Sequence, residues 1–176
     1  MTAPSLSKEE LLALDGKGLE AILTQISAQL LTHGWMLATA ESCTGGMIAA
    51  ACTDLAGSSQ WFERGFVTYS NAAKTELLGV PTALIAQHGA VSEPVARAMA
   101  EGAVAHAHAQ VAVAVTGVAG PTGGSADKPV GTVCFGWAVA DGRTRTTTQR
   151  FDGDRAAVRW QAALFALQGA WDMLSD

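Results

Sequence analysis

Charge is scarce in this chain: Asp, Glu, Lys and Arg make up 15% of its 176 residues, against roughly 25% in an average soluble domain. Eleven basic residues face sixteen acidic ones, and the net charge of −5 leaves no broad basic surface. Nucleic acid and anionic membrane are therefore poor partners, and any anion site has to be local. Cysteine is scarce too. Cys43, Cys52 and Cys134 are odd in number and lack CxxC spacing, which argues against a disulfide framework and for a reducing, cytoplasmic setting. No run approaches the roughly 18 uninterrupted apolar residues of a membrane span. Lys8, Glu9 and Glu10 precede any apolar stretch, unlike a signal peptide. No set of His, Cys, Asp and Glu has metal-ligand spacing, so neither a metal nor another cofactor is expected.

What the chain does have is small apolar residues: 49% of it is hydrophobic and 19 residues are glycine. That is enough for one sizeable core, and the length suits one domain, expected over residues 19–176 behind an N-terminal extension, 1–18. Leu19, Ile22, Leu23, Ile26, Leu30 and Leu31 recur at helical spacing up to Gly34. A first strand follows at Trp35–Ala40, then a short helix at Met47–Leu55. A second strand is read at Gly65–Tyr69, with Asn71 as N-cap of a helix over Ala72–Leu78 that resumes at Thr82–Gln87. Ser92-Glu93-Pro94 opens a longer helix reaching about His108. Gln110–Val115 is a β-branched buried strand, and Val130–Ala140 and Arg143–Phe151 flank the Asp141-Gly142 hairpin signal. Asp152 to Arg155 starts a closing helix to about Leu174. The order predicts a three-layer α/β/α sandwich with three parallel strands and a C-terminal antiparallel hairpin.

Three polar clusters sit just after the three parallel strands: Glu41 to Gly46, Tyr69 to Lys74, and Thr116 to Gly124. Ligands of open α/β sheets bind beyond the carboxyl ends of the strands, so three such loops can build one pocket. Ser42-Cys43-Thr44-Gly45-Gly46 suits a phosphate cradle at a helix N-terminus, a catalytic elbow presenting Ser42, or simple helix capping. It has neither the P-loop nor the dinucleotide fingerprint. A serine nucleophile needs a base, and none of the four histidines adjoins a strand-end cluster. Of four lysines, Lys74 alone falls in one, at a helix start where dipole and burial both favour the neutral amine. Tyr69, the only tyrosine, lies five residues before it, positioned to orient the hydroxyl or pass a proton. Arg155 opposes the dipole of the last helix, which calls for a compensating Asp152, Asp154 or substrate phosphate.

Six segments in order, Ala40–Gly46, Gly57–Asn71, Gln87–Ser92, Thr116–Pro121, Lys128–Thr132 and Gly153–Arg155, resemble the CinA C-terminal domain family over about residues 19–173. The likeness is greatest to its stand-alone members, which are nicotinamide-nucleotide amidases. The resemblance implies a mixed, mostly parallel five-stranded sheet with one strand antiparallel. It implies hydrolysis of the carboxamide of nicotinamide mononucleotide, with Ser42 as nucleophile, Lys74 as base, and Tyr69, Thr116 and Arg155 around the substrate. Thr44, Gly45, Gly46, Asn71 and Gly120 complete the expected substrate contacts, with the N–H groups near Gly45 and Gly46 receiving the oxyanion. The expected partner is a small nucleotide, with homo-oligomerisation left open. Two other classes stand beside this reading: a nucleotide-binding or regulatory module without chemistry, and a cysteine hydrolase using Cys43.

Overall fold

In a computed structural model, which describes residues 16–175, eleven helices and strands follow one another in the chain. They are α1 (Gly16–His33), β1 (Leu37–Glu41), α2 (Met47–Asp54), β2 (Phe62–Val67), α3 (Asn71–Leu78), α4 (Thr82–His88), α5 (Glu93–His106), β3 (Val111–Gly117), β4 (Thr132–Val139), β5 (Thr144–Arg150) and α6 (Arg155–Ser175). A 3-10 turn over Ser58–Gln60 precedes β2. Most of the expected 1–18 extension lies outside the described residues.

The five strands form one sheet in the order β2-β1-β3-β4-β5. β1 runs parallel to β2 and β3, while β4 is antiparallel to both of its neighbours. The chain leaves β1 toward one side of the sheet to make β2 and returns past β1 to make β3. Right-handed crossovers in opposite directions put their helices on opposite faces. The side chains agree. On β3, Val111, Val113 and Val115 join a core with α1, α2 and α6, whereas Ala112 and Ala114 join a second core with α3, α4 and α5. The alanine face lets α5 come close: a Cβ on Gly136 of β4 would collide with the Ala96 carbonyl. No helix among the described residues is long and apolar enough to cross a membrane.

Four local expectations change. β2 begins at Phe62 rather than Gly65, because an edge strand tolerates the charged Glu63-Arg64 pair on its exposed rim. Three helices, not an interrupted one plus a long one, connect β2 to β3, since Gly79 takes a left-handed conformation that ends α3. Ser70 caps α3, its hydroxyl accepting from the Ala73 N–H at 3.0 Å, so Asn71 is the first helical residue and Lys74 the fourth. The β4–β5 connection closes with the Val139 N–H on the Arg143 carbonyl, a longer loop than a two-residue turn.

Candidate active site

The order of strands makes the carboxyl end of β1 the point where chain connections diverge, and Ser42 is the first residue beyond it. Its N–H continues the sheet by donating to the Val115 carbonyl at 3.0 Å. The chain then turns through Gly45 (φ +63°) and Gly46 (φ +102°) into α2, a left-handed pair that side chains resist. Thr68, just past β2, donates its N–H to the Glu41 carbonyl at 2.8 Å, which brings the second loop alongside the first.

Lys74 reaches back from α3 into this junction and is 1% exposed. Its Nζ lies 3.1 Å from Ser42 Oγ and donates to the carbonyls of Thr68 at 2.9 Å and Tyr69 at 3.3 Å. Burial holds the amine below the ordinary lysine range, and none of these partners is a carboxylate. The neighbouring Cys43 thiol is buried and pushed up to about 12, again by burial first. It is a packing group at neutral pH, not a thiolate.

The glycine turn is built differently from the sequence-based expectation. The Gly45 N–H donates to the Ser42 carbonyl at 3.0 Å. The Gly46 N–H goes to the Glu41 carboxylate at 3.0 Å, which also accepts from Ile48 at 3.0 Å and Ala49 at 2.8 Å. Neither glycine N–H is left to receive an oxyanion. The positive end of α2, which suits a phosphate cradle on sequence grounds, is occupied by the chain's own carboxylate. Glu41 is 1% exposed and is affordable there only because three N–H groups meet it.

The other expected residues divide. Tyr69 is 62% exposed, and its hydroxyl accepts from Arg155 Nη2 at 3.2 Å, while its carbonyl rather than its hydroxyl meets Lys74. Arg155 also donates Nη1 to the Gly120 carbonyl at 2.9 Å. Asp154 instead caps α6, accepting from the Ala157 N–H, so the compensation expected from a carboxylate comes from Gly120 and Tyr69 oxygens. Arg155 lines a cleft of about 650 Å³ with Ala119, Pro121, Val130, Gly153 and Arg159. Thr116 is buried and donates its hydroxyl to the Ala90 carbonyl at 2.9 Å, acting on the turn before α5. Thr44 is fully buried, and Asn71 lines a separate depression with Thr75, Glu76 and Ile85. Glu41 and Arg159 are the two site residues that sequence reasoning missed. A carboxylate directly before a glycine turn and helix was the available sign of the first.

The CinA C-terminal domain family model matches residues 19–174. A nicotinamide-nucleotide amidohydrolase PncC from Enterobacter agglomerans is 60% identical over 154 residues, which is 88% of this chain and 94% of that protein. The protein of the same name from Escherichia coli strain K12 is 56% identical over 147 residues, covering 84% of this chain and 89% of its own. The crystal structure of the competence/damage inducible protein CihA from Agrobacterium tumefaciens superposes with a TM-score of 0.86 at 43% identity, over 90% of this chain and 96% of that one.

Proposed function

This chain belongs to the CinA C-terminal domain family, and from that premise we propose that it hydrolyses the carboxamide of nicotinamide mononucleotide to nicotinate mononucleotide and ammonia. The substrate is inferred from the two relatives that carry the amidohydrolase name. One observation carries the chemistry: a buried amine, with no carboxylate partner among the described residues, stands 3.1 Å from the hydroxyl at the switch point of the sheet.

A neutral lysine has two N–H groups and one lone pair. With the two N–H groups on the carbonyls of Thr68 and Tyr69, the lone pair faces Ser42 Oγ. Lys74 takes the hydroxyl proton as Oγ attacks the carboxamide carbon, and the C=O becomes an oxyanion. The protonated amine keeps both carbonyls as acceptors and gains Oγ as a third, so the transfer needs no movement of Nζ. It gives its proton to the departing nitrogen, the C–N bond breaks, and ammonia leaves an ester on Ser42. Water then attacks the ester. Lys74 accepts the water's proton and returns one to Oγ, releasing the carboxylate.

The phosphate of the nucleotide lies in the cleft beside Arg155, whose remaining guanidinium edge supplies charge-assisted hydrogen bonds. Tyr69, exposed at the mouth, offers its ring to the pyridine. A nucleotide substrate and free thiols at Cys43, Cys52 and Cys134 fit a cytoplasmic setting. Purified protein incubated with nicotinamide mononucleotide tests the reading. Ammonia and the nicotinate nucleotide should appear in equal amounts; binding without ammonia would instead make the chain a nucleotide-binding module.

A further inference from the structure

Arg155 and Arg159 stand one turn apart at the start of α6 and do different work. Arg155 faces the cleft, as described. Arg159 also borders that cleft but is spent on the chain itself, donating Nε to the Cys43 carbonyl at 3.0 Å and Nη2 to the Thr44 carbonyl at 2.9 Å. These carbonyls belong to the two residues that directly follow the nucleophile.

A trans peptide points its N–H opposite to its C=O. Holding the Cys43 carbonyl against Arg159 therefore aims the Thr44 N–H away from α6. Holding the Ser42 carbonyl on the Gly45 N–H, at 3.0 Å, aims the Cys43 N–H away from the glycine turn. The next two donors along the chain are spent, Gly45 on Ser42 and Gly46 on Glu41. Among the described residues, the Thr44 N–H has no acceptor within the chain, and the Cys43 N–H meets only its own thiol, a weak acceptor that an oxyanion displaces. These N–H groups belong to the two residues after Ser42, beside the place where charge develops on the attacked carbonyl oxygen.

We propose that Arg159 is a positioning residue: by gripping two successive carbonyls it fixes the Cys43 and Thr44 N–H groups as the oxyanion donors of the Ser42 reaction. The inference rests on the proposed amidase activity. It also replaces the pair of glycine donors expected from sequence. Pre-aimed donors cost no reorganisation when the oxyanion forms, which is why such a grip acts on kcat. A guanidinium suits the task because its fork can donate in parallel to two oxygens, and a lysine ammonium cannot copy that geometry.

The test compares Arg159→Ala and Arg159→Lys with the unaltered protein, by ammonia release from nicotinamide mononucleotide. Loss of one oxyanion donor typically costs about 10²–10³-fold in kcat, and Arg159→Ala should fall by that order with KM within about threefold. Arg159→Lys should recover only part of the loss, and added methylguanidinium should raise the rate of Arg159→Ala but not of Arg159→Lys. A simple staple between α6 and the loop would lower the melting temperature and leave kcat and the methylguanidinium response unchanged, which overturns the proposal. A raised KM with kcat intact also overturns it, because Arg159 would then be a substrate ligand. Should the unaltered protein release no ammonia, the substrate reading fails on its own, and hydrogen exchange decides this one. Exchange at Gly45 should quicken at least about tenfold in Arg159→Ala, or in Arg159→Lys if the alanine variant does not fold, while Val113 in the sheet stays protected. Unchanged exchange at Gly45 would overturn the grip itself.

Discussion

Lys74 Nζ and Ser42 Oγ lie 3.1 Å apart although 32 residues separate them in the chain. The contact exists because β1 and β2 are parallel neighbours whose carboxyl ends finish side by side. α3 then starts close enough for its fourth residue to reach back across the Thr68 and Tyr69 carbonyls. Among the described residues the amine is bonded only to neutral oxygens and pairs with no carboxylate, the environment that lowers a lysine's proton affinity.

Activity should therefore rise with pH as Lys74 loses its proton, and level off below the ordinary lysine value of about 10.4. The same shift has a sign in stability. The unfolded chain keeps the ordinary lysine value and binds more protons in the window between the two, so stability should climb with pH across that window. Rate profiles and melting curves over the alkaline range check both, with Lys74→Met as reference. A rate that falls between neutral and mildly alkaline pH, or a melting profile of the same slope in Lys74→Met, would count against a neutral amine.

With its thiol pushed up to about 12, Cys43 is ionised to only about 10⁻⁴ at pH 8. Iodoacetamide at that pH should leave activity in place, and Cys43→Ala should stay within about threefold of the unaltered rate, since a small packing residue is being shortened. Rapid inactivation, protected by substrate, would make Cys43 the nucleophile and Ser42 its neighbour.

How much of this was written in the residue order depends on distance. The Ser42–Gly46 turn and the place of Lys74 after β2 were legible, because strand-end clusters and the scarcity of lysine are local signals. Ser70 and Asn71 are both good capping residues, and only the backbone conformation at Ser70 decides between them. The start of β2 was obscured by Glu63 and Arg64, charges that a central strand would refuse and an edge strand accepts. Arg159 was invisible for a stronger reason. Its partners, Cys43 and Thr44, are 116 and 115 residues away, and a side chain that binds backbone carbonyls leaves no pairing of residue types to read.

Glu41→Gln should be costly in stability. The carboxylate accepts from three N–H groups at the start of α2, and an amide would turn an NH₂ toward at least one of them. Hydrogen bonds to a buried charged group are each worth about 1.5–3 kcal/mol, so a loss of about 2–4 kcal/mol is expected. At roughly 2–4 °C per kcal/mol for a domain near this size, the melting temperature should drop by about 5–15 °C. A change of less than about 2 °C would show that the capping of α2 contributes little.

The central claim is that Lys74 moves a proton, and replacement by arginine tests it most directly. Lys74→Arg retains a long cation at the same position on α3, yet an arginine side chain keeps its proton at any ordinary pH. Removing a general base typically costs about 10²–10⁴-fold, so Lys74→Arg should be nearly as slow as Lys74→Ala while isothermal titration still detects nicotinamide mononucleotide binding. Ammonia release by Lys74→Arg within about tenfold of the unaltered enzyme would contradict the account, because Lys74 would then act through its charge alone and the base would lie elsewhere.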